Sequence, residues 1–488
     1  HLPVQYNPFV FKDNRQFRNL TVMPGCEILQ SFDLVHWEHV TYVYETLDHT
    51  DAQQLKSGQN IYGQGMWAAS LRYHEGRFYI CFVANDTRKT YLYTSEKIDG
   101  PWKKQLIEGF YHDGSLLFDE DGRNYIVYGN DEIWITELNE DLTAPKKDGL
   151  HRLLVSDHKN PELGYEGSHI QKINGYYYIF LIHSLRDRWM RTEACFYSDS
   201  LEGEFTGGDV LCDDRGYCGQ GVAQGGIVDT PDGKWYAMLF QDSGAVGRIP
   251  ILLPVTWKDH FPFFGQNGHV PEEIEVHSTR PGYIYQPLVG SDDFCNGLLP
   301  RWQFNHDPDP RYYHLDALQG TYTITTREVC TELTQAVNTL TQRMSYPSCA
   351  AEVTVDASAL KEGDVAGLCA LQSCYAAVGI TKHHGKYEVL MLDKKEDGIL
   401  DMTEGTVVES HQMDFRLEAD FCNMKDEARC YYRVNKGDWL PIGTVHKLYF
   451  KLDHFTGCRF GLFCYAAEET GGSACFRDFK YYDVDEIS

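Results

Sequence analysis

A chain of 488 residues with a formal net charge of −27 is long enough for more than one domain, since single cores rarely grow past about 250–300 residues. The acidic balance excludes nucleic acid and anionic membrane surfaces as partners, and no apolar run reaches the roughly 18 residues a spanning helix needs. Fifteen scattered cysteines, an odd number without a CxxC pair, read as reduced buried thiols and place the protein in the cytoplasm. The alternative is a secreted or periplasmic protein that has lost a leader ahead of His1. Composition leaves a homo-oligomer open.

The first apolar stretch is Asn7-Pro8 followed by Phe9, Val10 and Phe11, a polar turn over residues 12–16, then Phe17. The same cadence follows four times in longer form. Trp67, Asp113, Glu166 and Gln224 each lead a short apolar run, a glycine 9 positions on and an aromatic 12 positions on (Gly76 and Tyr79, Gly122 and Tyr125, Gly175 and Tyr178, Gly233 and Tyr236). Each copy reads as a β-hairpin whose glycine supplies positive φ at the turn. The leads lie 46, 53 and 58 residues apart, a period that suits propeller blades of about four strands. Three further segments, SFDLVHWE (31–38), SEKIDGPWK (95–103) and SDSLEGEF (198–205), repeat in the same register and read as later strands of the blades. Five blades therefore fit in residues 1–270, and their leads, Asn7, Trp67, Asp113, Glu166 and Gln224, are expected around one axial funnel.

Residues 271–292 break the cadence and read as a linker strapped over the propeller. From 293 to 488 the texture changes to short alternating segments, among them GTYTITT, CAAEVTVDA, VAGLCALQ, KYEVLMLD, FRLEADF, KLYFKLD and RFGLFCYA. These are the strands of a two-sheet β-sandwich. The fold class is all-β throughout.

Two carboxylates, Asp113 and Glu166, head neighbouring blades. A lone acid there would cap a turn or pair with an arginine. Two acids in phase beside Trp67 point instead to sugar chemistry, because an indole stacks on the apolar face of a sugar ring. Close carboxylates repel, one stays ionised, and the other gains the raised pKa of a general acid for a glycosidic oxygen. His112 and His183 sit beside these motifs and read as structural.

The stretches MPGCEILQSFDLVHW (23–37), GMWAASLRYHEGRFY (65–79), HDGSLLFDEDGRNYIVYG (112–129), YEGSHIQKINGYYY (165–178) and GRIPILLPVTW (247–257) resemble glycoside hydrolase family 43. Its members are five-bladed propellers acting on xylose- and arabinose-containing polymers. The C-terminal part resembles the concanavalin-like sandwich of the β-xylosidase-type members. The resemblance implies an inverting exo-hydrolase that releases terminal xylose or arabinose from xylan-derived oligosaccharides. It implies Glu166 as general acid, Asp113 as the residue that tunes its pKa and orients substrate, and Trp67, Arg248 and Gln224 as the sugar subsite. Two positions depart from the family pattern. The general-base Asp of the first blade corresponds to Asn7, and an amide cannot take a proton from water; Asp13 is the fallback carboxylate. Gln224 stands where many members place a His near an axial metal ion. No cofactor is therefore required, although a Gln carbonyl can face a structural Ca²⁺ near the propeller axis. The alternative from another class is a carbohydrate-binding protein whose catalysis is weakened at Asn7.

Overall fold

The computed structural model describes residues 25–483 apart from 231, 404 and 455. The expectations placed on Asn7 and Asp13 lie outside the described residues. Among the described residues the regular structure is β throughout, with only short 3₁₀ turns between strands. A two-stranded sheet pairs β1 (Gly25–Gln30) with β2 (Glu38–Tyr44). Four antiparallel meanders follow: β3 to β6 (Ser70–His74, Arg77–Ala84, Lys89–Ser95, Lys103–Ile107), β7 to β10 (Ser115–Phe118, Asn124–Asn130, Glu132–Leu138, His151–Ser156), β11 to β14 (Glu166–Ile173, Tyr176–Ser184, Arg191–Ser198, Thr206–Leu211) and β15 to β18 (Ala223–Asp229, Trp235–Asp242, Arg248–Lys258, Phe261–Phe264). The innermost strands β3, β7, β11 and β15 touch one another in sequence, which makes the arrangement propeller-like with four four-stranded blades among the described residues.

All four turn glycines adopt the left-handed backbone, with φ of 80° at Gly76, 81° at Gly122, 85° at Gly175 and 79° at Gly233. A side chain at any of them would meet open space, so conformation alone demands glycine here. Two turn types share the spacing. Glu75-Gly76 and Asn174-Gly175 are two-residue loops with positive φ at both positions. In the other two, Gly122 and Gly233 close three-residue loops by donating their N–H to Asp119 and Thr230. The second strand of each blade is buried on both faces because each sheet packs against its neighbours. The core of β8, β9, β11 and β12, for instance, joins Tyr125, Val127, Ile133, Ile170, Ile179 and Leu181.

The Ser-led segments are not strands. Residues 31–37, 96–102 and 199–205 are the connections between paired outer strands (β1 to β2, β5 to β6, β13 to β14). The serine at the head of each segment bends the chain. The hydroxyls of Ser31, Ser95 and Ser198 accept the N–H two residues on, at 3.2, 3.2 and 3.3 Å, and this local bond competes with continued pairing.

The second half is a sandwich. A seven-stranded sheet runs Tyr313–Asp316, Thr321–Thr325, Ser473–Asp483, Ser348–Asp356, Gln412–Asp420, Glu427–Val434 and Leu440–Lys447. It faces a sheet built on Gln303–Phe304, Leu340–Arg343, Arg459–Tyr465, Val365–Leu371, Ala376–His383 and Lys386–Lys394, with Leu400–Met402 and Thr406–Val408 paired to the last. One expected strand fails. KLYFKLD is strand only at Lys447, and residues 448–453 leave the sheet. Leu448 is drawn inward and donates its N–H to the Asp426 carbonyl at 2.7 Å, and the turn after it packs on Gly63 of the propeller. The real edge strand, Leu440–Lys447, hides from pattern reading because it is largely exposed and carries Pro441 and Gly443. All fifteen cysteines are unpaired.

The strap lies on the β1–β2 hairpin. Thr279 donates its N–H to Phe32 O at 2.7 Å, and Gln286 donates its N–H to the Glu38 carboxyl at 3.0 Å. Propeller and sandwich also meet through polar side chains. Tyr62 donates to Thr334 O at 2.7 Å and stacks on His454. Arg343 donates to one oxygen of Glu27, and His39 lies 2.9 Å from the other. Burial opposes the Glu27 charge, but Arg343 and His39 outweigh it and hold the carboxyl below its ordinary range. A depressed carboxyl contributes stability above its unfolded value, about 4.3, and loses it as pH falls through the folded value. The junction is therefore expected to loosen in acid below about pH 4. Arg343→Met should cost about 3–5 kcal/mol in thermal or urea unfolding, because Glu27 is left buried without its main partner. Adding Glu27→Gln should recover most of that loss; equal losses in the single and double variants would contradict the pairing.

Candidate active site

Three of the four described leads, Asp113, Glu166 and Gln224, sit at backbone irregularities. Asp113 has φ of 48° and Gln224 of 66°. β11 and β15 are bulged at Glu166/His169 and Ala223/Gly226, and bulges re-aim side chains. Gly167, at φ of 68°, completes the approach: a Cβ there would lie 2.6 Å from the Gln224 amide nitrogen. Ser168 Oγ lies 2.8 Å from Asp113 O and 2.9 Å from Val127 O, so β11 grips the loop that presents Asp113.

Asp113 and Glu166 come together with His112, each offering a ligand atom within 4.8 Å of the others. The two acids are not equivalent. The Asp113 side chain is 5% exposed and that of Glu166 22%, so Glu166 is the more solvent-accessible carboxyl. Gln224 Nε2 donates to Asp113 Oδ2 at 3.3 Å, and Gln224 is itself fixed by its N–H, which donates to Glu193 Oε2 at 2.7 Å. Glu166 Oε2 accepts from Asn130 Nδ2 at 2.8 Å and lies 3.6 Å from His112 Nε2. Trp67 meets His112 edge-on, with ring centres 5.4 Å apart.

Arg248 joins the site through another side chain. Its Nε donates to Asp242 Oδ1 at 2.8 Å, and the same carboxylate accepts from Arg191. Both guanidinium groups lie over the Phe240 ring, at 4.2 and 4.7 Å. Burial lowers the Arg191 pKa, Asp242 raises it, and Glu166 lies close enough to add to that rise. This arginine pair is the positive edge of the funnel.

Arg191, Glu193 and Asn130 were not among the residues expected from sequence. A signal existed for the first two: Arg191 and Glu193 are charged positions in a strand, RTEACFYS, that is otherwise buried among blade cores. His112, expected to be structural, stands between the two acids. His183 pairs with Asp209 at 2.8 Å and lies 3.5 Å from Asp157.

His112, Asp113 and Glu166 are the group of metal-competent side chains among the described residues. An imidazole and two carboxylates do not suit Ca²⁺, which takes six to eight oxygen ligands, and these carboxylates are already engaged by Asn130 and Gln224. A Ca²⁺ near the axis would have to use other donors.

Residues 6–262 match the model of glycosyl hydrolases family 43, and residues 291–482 match the β-xylosidase C-terminal concanavalin A-like domain. A β-xylosidase of Formosa agariphila is 25% identical over 95% of this chain and 84% of its own length. A non-reducing end α-L-arabinofuranosidase of Bacteroides ovatus is 23% identical over 78% of this chain and 74% of its own. Among solved structures, a bifunctional family 43 and CE protein of Bacteroides eggerthii is 41% identical with a TM-score of 0.87, covering 95% of this chain, which spans 60% of that longer protein. On these matches, and on a funnel in which two carboxylates from neighbouring blades meet, the chain belongs to glycoside hydrolase family 43.

Proposed function

We propose that this protein is an inverting exo-glycosidase that releases terminal xylose, or terminal arabinose, from xylan-derived oligosaccharides. The observation that carries the reading is the pairing of a buried Asp113 with a more exposed Glu166 at the mouth of the funnel. In this reading Glu166 protonates the leaving oxygen. Asp113, held by Gln224, is the carboxylate behind it that tunes and orients the site. Trp67 walls the terminal-sugar subsite, and Arg248 bonds sugar hydroxyls. No cofactor enters the reaction.

The same reading closes the propeller with a fifth blade. β1 and β2 are joined by a Ser-led connection of the length that joins the third and fourth strands of two other blades. They also share a core with β4, β5 and Met238 of β16, so they sit between the first and last full blades. β1 and β2 would be the outer strands of that blade. Residues 1–270 would then be the catalytic unit, 271–292 the linker and 293–488 the accessory sandwich. The general base belongs to the catalytic unit, at Asn7 by phase, with Asp13 the fallback. The carbohydrate-binding alternative rests on Asn7 alone.

Turnover of 4-nitrophenyl β-D-xyloside against 4-nitrophenyl α-L-arabinofuranoside tests the reading and separates the two sugars. Asp113→Asn is expected to lower kcat on the preferred substrate by about 10²–10⁴-fold with the melting temperature held; unchanged kcat would remove Asp113 from the site. Asn7→Asp should raise kcat by a similar factor and Asp13→Ala should leave it unchanged. Fast native turnover abolished by Asp13→Ala would instead make Asp13 the base.

A further inference from the structure

We infer that Asn130 decides which oxygen of Glu166 carries the catalytic proton; this rests on Glu166 being the general acid. The Asn130 Nδ2 donates to Glu166 Oε2 at 2.8 Å. An oxygen that already receives an N–H cannot present its own O–H along the same direction. His112 Nε2 stands 3.6 Å from that oxygen too. The proton is thereby left to Oε1, the oxygen without these neighbours, where it can reach the glycosidic oxygen.

The backbone holds this register firmly. Asn130 ends β8, and its neighbours on both sides are tied. Gly129 donates its N–H to His112 O at 3.0 Å, and Asp131 donates its N–H to Tyr165 O at 2.8 Å, one residue before Glu166. The chains run so close that a Cβ on Gly164 would lie 1.9 Å from the Asp131 carboxyl. Asparagine suits the task chemically. Its amide gives a donor without a charge, whereas an arginine or lysine there would hold Glu166 ionised and an aspartate would add a third carboxylate. Asn130 is exposed at the strand end, so its replacement leaves the blade core intact. Asn130 acts through Glu166 and is a positioning residue.

The test is leaving-group dependence. Full-length native protein, Asn130→Ala, Asn130→Ser and Glu166→Gln are compared by kcat/KM on 2,4-dinitrophenyl, 4-nitrophenyl and phenyl β-D-xylosides and on xylobiose, or on the corresponding arabinofuranosides if those are preferred. A dinitrophenolate leaves without a proton, whereas phenol and xylose need one. Asn130→Ala should lose about 10–100-fold on phenyl xyloside and xylobiose, part of the 10²–10⁴ that a general acid supplies. It should lose no more than about 2-fold on the dinitrophenyl substrate. Asn130→Ser, which keeps a donor, should recover part of the loss. An equal loss across the series, or none, overturns the inference while Glu166→Gln still shows a steep dependence. A flat series for Glu166→Gln removes the acid itself, and the reading of the site fails with it.

Discussion

Among the described residues the innermost strand of each blade pairs with one strand only, so its axis-facing carbonyls have no ladder partner. Buried carbonyls must be paired, and this structure pairs them with long polar side chains from the next blades. Arg72 of β3 donates to Leu116 O of β7 at 3.0 Å and Ile170 O of β11 at 2.9 Å. Its guanidinium also reaches Ser115 Oγ at 2.6 Å. Gln171 of β11 donates to Ile227 O of β15 at 2.9 Å. The axis is therefore polar by necessity, and a polar axis can hold two carboxylates in close approach. Glu193 and Gln224 extend the same pattern to the mouth: a buried carboxylate fixes a backbone N–H, and the amide side chain that follows holds Asp113.

The sandwich enters the same network from outside. The β16–β17 connection, residues 243–247, leaves the propeller and plants Ala245 and Val246 in the sandwich core. Ala245 O accepts the Cys458 N–H at 2.8 Å. The strands that carry this tip end in Asp242 and Arg248, which face each other across the hairpin base. Anchoring the tip in another core fixes the hairpin whose base carries Asp242 and Arg248. Burial at this junction also pushes the Asp426 carboxyl up to about 6, against the N–H of Ala245, which stabilises its charge.

Much of this was legible in the chain because glycine and serine mark turns for stated physical reasons. The four glycines at the shared offset each take a positive φ, and the leads Asp113, Glu166 and Gln224 meet where phase places them. The Ser-led repeats are visible in the sequence but are bends rather than strands, since their hydroxyls bond two residues on. Asn130, by contrast, left no trace in the sequence. It belongs to the second strand of a blade, out of phase with every lead, and reaches Glu166 because the end of β8 is bridged, through Asp131, to Tyr165 just ahead of β11. Arg191 reaches Asp242 from a different blade, and pairings of that kind follow from closure of the ring rather than from any local pattern. The KLYFKLD segment alternates like a strand and is not one, because the propeller surface at Gly63 and Tyr62 claims the turn that follows it.

The separation of the two acids bears directly on mechanism. Inverting pairs stand about 6.5–9.5 Å apart to admit a water, whereas retaining pairs stand about 5–5.5 Å apart. Asp113 and Glu166 present oxygens within 4.8 Å. That spacing is too short for the acid–base pair of an inverting enzyme, which agrees with the proposed tuning role of Asp113 rather than with a role as base. Proton NMR of the first sugar released from an aryl β-D-xyloside decides this most directly. Inversion yields α-xylose first, followed by slow mutarotation to the β-anomer, and that is the expected result. β-Xylose as the first product would make Asp113 a nucleophile and contradict the assignment.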